Sequence, residues 1–156
     1  MEGQSLFGER VGAVSPRMLK VLAAVVWLIG GGILMTKGSE LLLEAADLQP
    51  GSLWTWVGFP VGLLLGALKG VALFGPSCRK NLSRIDQLES PRIWRFFSPR
   101  FFLALLLMIA AGASLSRIAH GRLSLLVLVG ILDLSIASAL LISFPIYLKS
   151  LQSNQS

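Results

Sequence analysis

Gly58-Phe59-Pro60-Val61-Gly62-Leu63-Leu64-Leu65-Gly66-Ala67-Leu68-Lys69-Gly70 returns glycine at every fourth position inside an apolar run of about residues 53–75. In lipid no hydrophobic force separates one apolar helix from another, so association depends on close approach of backbones, which a row of glycines permits. Gly58, Gly62, Gly66 and Gly70 form three overlapping GxxxG motifs on one helical face. They predict tight helix contact, either within the chain or between chains. On this reading the second apolar helix is the packing centre.

The whole composition agrees with a membrane setting. Of 156 residues, 54% are hydrophobic and 14% charged, and mean hydropathy is +0.72, whereas a soluble domain carries roughly 45–50% apolar residues and about 25% charge. The formal charge of +6 does not point to nucleic acid, because the basic residues fall between apolar segments and not on one polar domain. Membrane orientation explains them instead.

Four segments reach the ~20 residues that a ~30 Å hydrocarbon core requires: about 18–37, 53–75, 100–118 and 123–147. The first and third are short between flanking cations, Lys20 to Lys37 and Arg100 to Arg117, and such cations can snorkel toward the headgroups. The chain is therefore expected to be an all-α integral membrane protein with four transmembrane helices. Residues 1–14 are expected as a flexible cytoplasmic tail, 15–150 as a single transmembrane domain and 151–156 as a C-terminal tail. A cleaved signal peptide competes for the first segment, since basic residues precede a short apolar core. No small-x-small cleavage site follows promptly, and the third segment has the same layout, which favours a retained helix.

Lys and Arg set the orientation. The N-terminal segment, the middle loop and the C-terminal end hold ten (Arg10, Arg17, Lys20, Arg79, Lys80, Arg84, Arg92, Arg95, Arg100, Lys149), against Lys37, Arg117 and Arg122 on the other side. The positive-inside rule then places both termini in the cytoplasm, with the plasma (inner) membrane as the expected location.

Ser15-Pro16-Arg17 recurs as Ser90-Pro91-Arg92 and Ser98-Pro99-Arg100, each time before an apolar helical run. A serine hydroxyl can accept from an orphan backbone N–H, and proline suits the first helical position, so these are read as helix starts. Met35-Thr36-Lys37-Gly38-Ser39 aligns with Ile118-Ala119-His120-Gly121-Arg122 at the offset of 83 that also relates the Ser-Pro-Arg starts of the first and third segments. Two tandem parallel hairpins would produce this pattern, and so would ordinary helix punctuation.

Between the first two segments, Ser39 is read as the cap of a short helix, Glu40 to Leu48, ended by Gln49-Pro50-Gly51. Trp54 and Trp56 then anchor the second segment at the outer interface, and Gly75-Pro76 is read as its stop. In the middle loop, Cys78, Leu82, Ile85 and Leu88 keep helical spacing opposite basic and polar residues. Arg92, Trp94, Arg95, Phe96 and Phe97 extend this into a basic, aromatic interfacial surface suited to anionic headgroups. Docking of a cytoplasmic partner is the alternative use of that surface.

Two charges lie away from the loops, Lys69 and Asp133. A charge at mid-span costs about 2.5–3.5 kcal/mol on insertion scales and usually faces protein or water, often paired. Lys69 lies close to the glycine face, and Gly130, Asp133 and Ala137 share a face of the fourth segment, so an intramembrane Lys69–Asp133 pair is expected. The competing arrangement has Lys69 snorkelling and Asp133 bonded to nearby serines.

Catalysis finds little support. His120 and Cys78 are the sole histidine and cysteine and lie on opposite sides of the membrane, and no phosphate loop or metalloprotease helix is present. Cys78 is read as an inert thiol, with juxtamembrane palmitoylation as the alternative. The expected role is a non-enzymatic subunit without cofactors, either self-associated or bound to a membrane-protein partner. A small oligomeric channel or transporter using Lys69 and Asp133 is the alternative.

Overall fold

The computed structural model describes residues 14–89, 92 and 99–153. Its elements are α1 (Pro16–Leu48), α2 (Leu53–Lys69), a π turn (Gly70–Phe74), α3 (Gly75–Asp86), α4 (Pro99–Ala119) and α5 (Leu123–Gln152). Three rods are long and apolar enough to cross a membrane: Pro16–Leu48, Leu53–Asp86 and Leu123–Gln152. The described apolar stretch of α4, Leu106–Ala119, is shorter. The expected interfacial residues Trp94, Arg95, Phe96 and Phe97, the serines at 90 and 98 and the first thirteen residues lie outside the described set, whereas Arg92 is described and exposed.

Ser15 starts α1 as its chemistry dictates. Its hydroxyl accepts the Met18 N–H at 3.3 Å, and Pro16 occupies the first turn. The helix does not stop where the first segment was expected to end. Thr36 to Leu48 continue it without a break, so Ser39 is an internal residue and not the cap of a separate helix. The reason is that Gly38 faces α5, which fills the space beside it, while no proline intervenes before Pro50. The 83-residue correspondence breaks at the same place: Gly38 is helical, whereas its counterpart Gly121 turns the chain with φ +75°.

Gly75-Pro76 likewise fails to end the second rod. A proline in a helix lacks an N–H and crowds the preceding turn. The π turn widens the backbone just before it, with the Gly75 N–H donating to the Gly70 carbonyl, and α3 continues with Pro76 in its first turn. At about 1.5 Å per residue, this 34-residue rod is roughly 50 Å long and outruns a ~30 Å core. The apolar spacing of the middle loop is thereby explained differently from the sequence reading. Cys78, Leu82 and Ile85 are buried, and Cys78 and Leu82 pack with Ala23, Trp27 and Tyr147 of this same chain.

The centre of the fold is α5, not α2. It runs antiparallel to α1 and parallel to α2, and it buries residues from Leu126 to Tyr147 on successive turns. By contrast, α2 buries only Thr55, Gly58, Gly62 and Gly66. A glycine face offers a thin backbone strip, whereas a helix held on two sides must bury two faces. α5 also extends through Gln152, into the stretch expected as tail.

Candidate functional site

The seam between α2 and α5 is built by the glycine row. A Cβ on Gly62 would stand 2.9 Å from the Leu134 Cβ and 3.2 Å from the Ile131 carbonyl oxygen. One on Gly66 would overlap the Ser135 carbonyl and come within 2.6 Å of the Ser138 Cβ, and one on Gly70 would meet the Ala139 carbonyl at 3.0 Å. Gly58 faces Leu42 of α1 and Ile131. The two backbones are close enough for the Ser138 hydroxyl to donate to the Leu63 carbonyl at 3.0 Å across the seam.

A second close crossing joins α1 to α5, at glycines that the sequence places only in a repeat-like or helix-punctuating pattern and on the Asp133 face. A Cβ on Gly38 would stand 3.0 Å from the Gly130 carbonyl oxygen, and one on Gly130 3.1 Å from the Gly38 carbonyl oxygen. Gly31, one heptad before Gly38, faces Leu140 and Leu141. That seven-residue spacing was the available signal. Lower in the same seam, the Trp27 indole N–H donates to the Ser143 hydroxyl at 3.2 Å, and its ring tilts against Tyr147 with centroids 5.8 Å apart.

The register of these contacts separates the two intramembrane charges. Gly62 sits beside Ile131 and Leu134, and Gly70 beside Ala139 and Ile142. Lys69 is therefore level with residues near 139, six or so beyond Asp133, an axial gap of about 9 Å at 1.5 Å per residue. No ion pair joins them: the pairs among the described residues are Lys20–Asp86, Lys37–Glu40 and His120–Glu44. Asp133 is buried, at 4% exposure. Lys69 is half-buried.

Two polar ties went unread in the sequence. Lys20, counted there only as an inner-side cation, is buried and its Nζ lies 2.7 Å from Asp86 of α3. This contact joins the start of α1 to the end of the long second rod. At the opposite end of the bundle, Glu44 holds the turn between α4 and α5, lying 2.7 Å from the His120 Nδ1 and accepting the Gly121 N–H at 3.4 Å. Beneath it Leu41, Ala45, Ala119, Leu126 and Val129 pack as one cluster.

That cluster is where α4 meets the bundle. Farther down, Leu103, Leu106, Leu107 and Ile109 are each about 60% exposed, and a Cβ on Gly112 would meet nothing within 4 Å. The small residues Ala110, Ala111, Ala113 and Ser114 are exposed as well. Cys78 is free and fully buried, which removes the accessible thiol that palmitoylation needs. Among the described residues no group of His, Cys, Asp and Glu is arranged to hold a metal. No family model matches the chain, and no curated protein or solved structure matches it either.

Proposed function

We propose that the protein is a non-enzymatic multipass membrane subunit that works by helix-mediated assembly, with α4 as its fourth crossing. The observation that carries this reading is the contrast within one chain: α1, α2 and α5 seal against each other, while α4 leaves an apolar surface with small residues uncovered below Ala119. Such a surface in lipid is a packing surface for another helix. The inner-side excess of Lys and Arg supports cytoplasmic termini, an inner (plasma) membrane location and contact with anionic headgroups, including at Arg92. Purification in gentle detergent with native mass measurement tests the role. A mass of two or more copies, or of one copy with a membrane-protein partner, is expected, and a lone single-copy mass across detergents and in native lipid would overturn it.

A second reading, a small oligomeric channel or transporter, draws on Asp133 alone. A buried mid-span acid is costly and often marks an ion or proton path. Under this reading Asp133→Asn abolishes a pH- or ion-dependent flux in proteoliposomes. Under the assembly reading the variant leaves fluxes at the level of protein-free vesicles.

A further inference from the structure

We infer that the assembly partner is a second copy of this chain, whose α4 lies against the groove on the outer face of α1. This rests on the assembly reading and names the surface it uses. The groove is a shallow, open face of α1 lined by Ile29, Gly32, Ile33, Thr36, Lys37 and Glu40. Its floor is Gly32, where a Cβ would meet nothing within 4 Å. Ile29, Ile33, Thr36 and Glu40 recur at helical spacing along it, so the groove follows the helix axis and accepts another helix.

Height and charge select α4 as the occupant. Ala119 packs with Leu41 and Ala45, which fixes α4 relative to α1 along the membrane normal. Counting down at equal rise puts Arg117 level with Glu40 or Leu41, and Gly112 level with Thr36. Two copies share one bilayer, so the same levels hold between them. The second copy then brings an exposed Arg117 to Glu40, where it would take over from the exposed Lys37, 3.9 Å away on the same helix, and the open Gly112 and Ser114 to the Thr36 notch. Around these points the α1 extension carries the acids Glu40 and Asp47 beside the cation Lys37, and the end of α4 and its turn carry the bases Arg117 and Arg122, all exposed. α4 meets the bundle around Ala119. A twofold axis along the membrane normal that sets each α4 on the other copy's α1 closes the contact after two copies.

The experiment uses full chains in native membranes. One tagged chain carries Thr36→Cys, at an exposed position, and a differently tagged chain carries Gly112→Cys, where a Cβ meets nothing within 4 Å. Oxidation should join the two tags in a disulfide. Leu64→Cys, on the lipid face of α2, replaces Thr36→Cys as the control and should give none. Arg117→Glu alone should reduce the cross-linked fraction at least fivefold, and Glu40→Arg on the partner chain should restore it. Absence of the 36–112 bond, or equal bonding by the Leu64→Cys control, would overturn the inference. If the native mass then shows a different protein bound, the assembly reading stands without this interface, and if it shows a lone single copy, both fall.

Discussion

α2 and α4 are both apolar helices with glycine and other small residues along their length, yet one is sealed and the other open. On α2 the glycines recur every fourth residue, so all four share a face, and α5 closes on Gly62 and Gly66 until a single methyl group no longer fits there. On α4 the small residues run consecutively from Ala110 to Ser114, so they wrap around the helix and define no single face. The difference teaches that spacing, more than content, determines whether a small-residue helix is locked within its own chain or left for a neighbour.

The largest expected effect lies at the tightest point of the sealed seam. Gly66→Leu has only the Ser135 backbone and Ser138 to displace, neither a flexible side-chain end, and should cost at least about 3 kcal/mol or abolish folding. Unfolding titrations in mixed micelles measure it. Gly62→Ala sets a methyl against the Leu134 Cβ and the Ile131 carbonyl. The strain should outweigh the ~1 kcal/mol that alanine gains in helix propensity, for a net loss of about 1 kcal/mol.

Weaker effects sharpen the open side. Glu44→Ala removes both bonds that pin the α4–α5 turn, and since the pair is partly exposed it should cost under about 1 kcal/mol. Hydrogen exchange at Gly121 should speed up while Gly62 to Gly70 stay protected. Gly58→Ala should be near neutral, because its neighbours are side-chain ends of Leu42 and Ile131 that can move. Smallest of all, Gly112→Leu should change single-copy stability by less than about 0.5 kcal/mol, with any loss confined to association. A large loss in unfolding titrations of the isolated copy would erase the contrast between the two helices.

Much of the architecture was legible because hydropathy and glycine spacing are local signals. The apolar rods, the Ser15 start and the buried glycine face follow from residues near one another in sequence. What stayed hidden depends on distant residues. Gly38 and Gly75-Pro76 look like stops, yet α1 continues where α5 backs it and the second rod continues where a π turn absorbs the proline. The Lys20–Asp86 contact spans 66 positions, and neither residue has a neighbour that announces it. Helical faces bring Lys69 and Asp133 toward the same seam, but the parallel register of α2 on α5 keeps them about 9 Å apart along the axis.

The seam itself can be tested by a bond across it. A Cβ on Gly70 would lie 3.4 Å from the Ile142 Cβ, at the short edge of the ~3.5–4.5 Å that a disulfide spans. In a Gly70→Cys, Ile142→Cys chain, mild oxidation should consume both new thiols while the protein still migrates as one copy on a non-reducing gel. Both new thiols still free after oxidation, alongside Cys78, or a bond that joins one copy to another, would contradict the closure of α2 on α5 within a single chain.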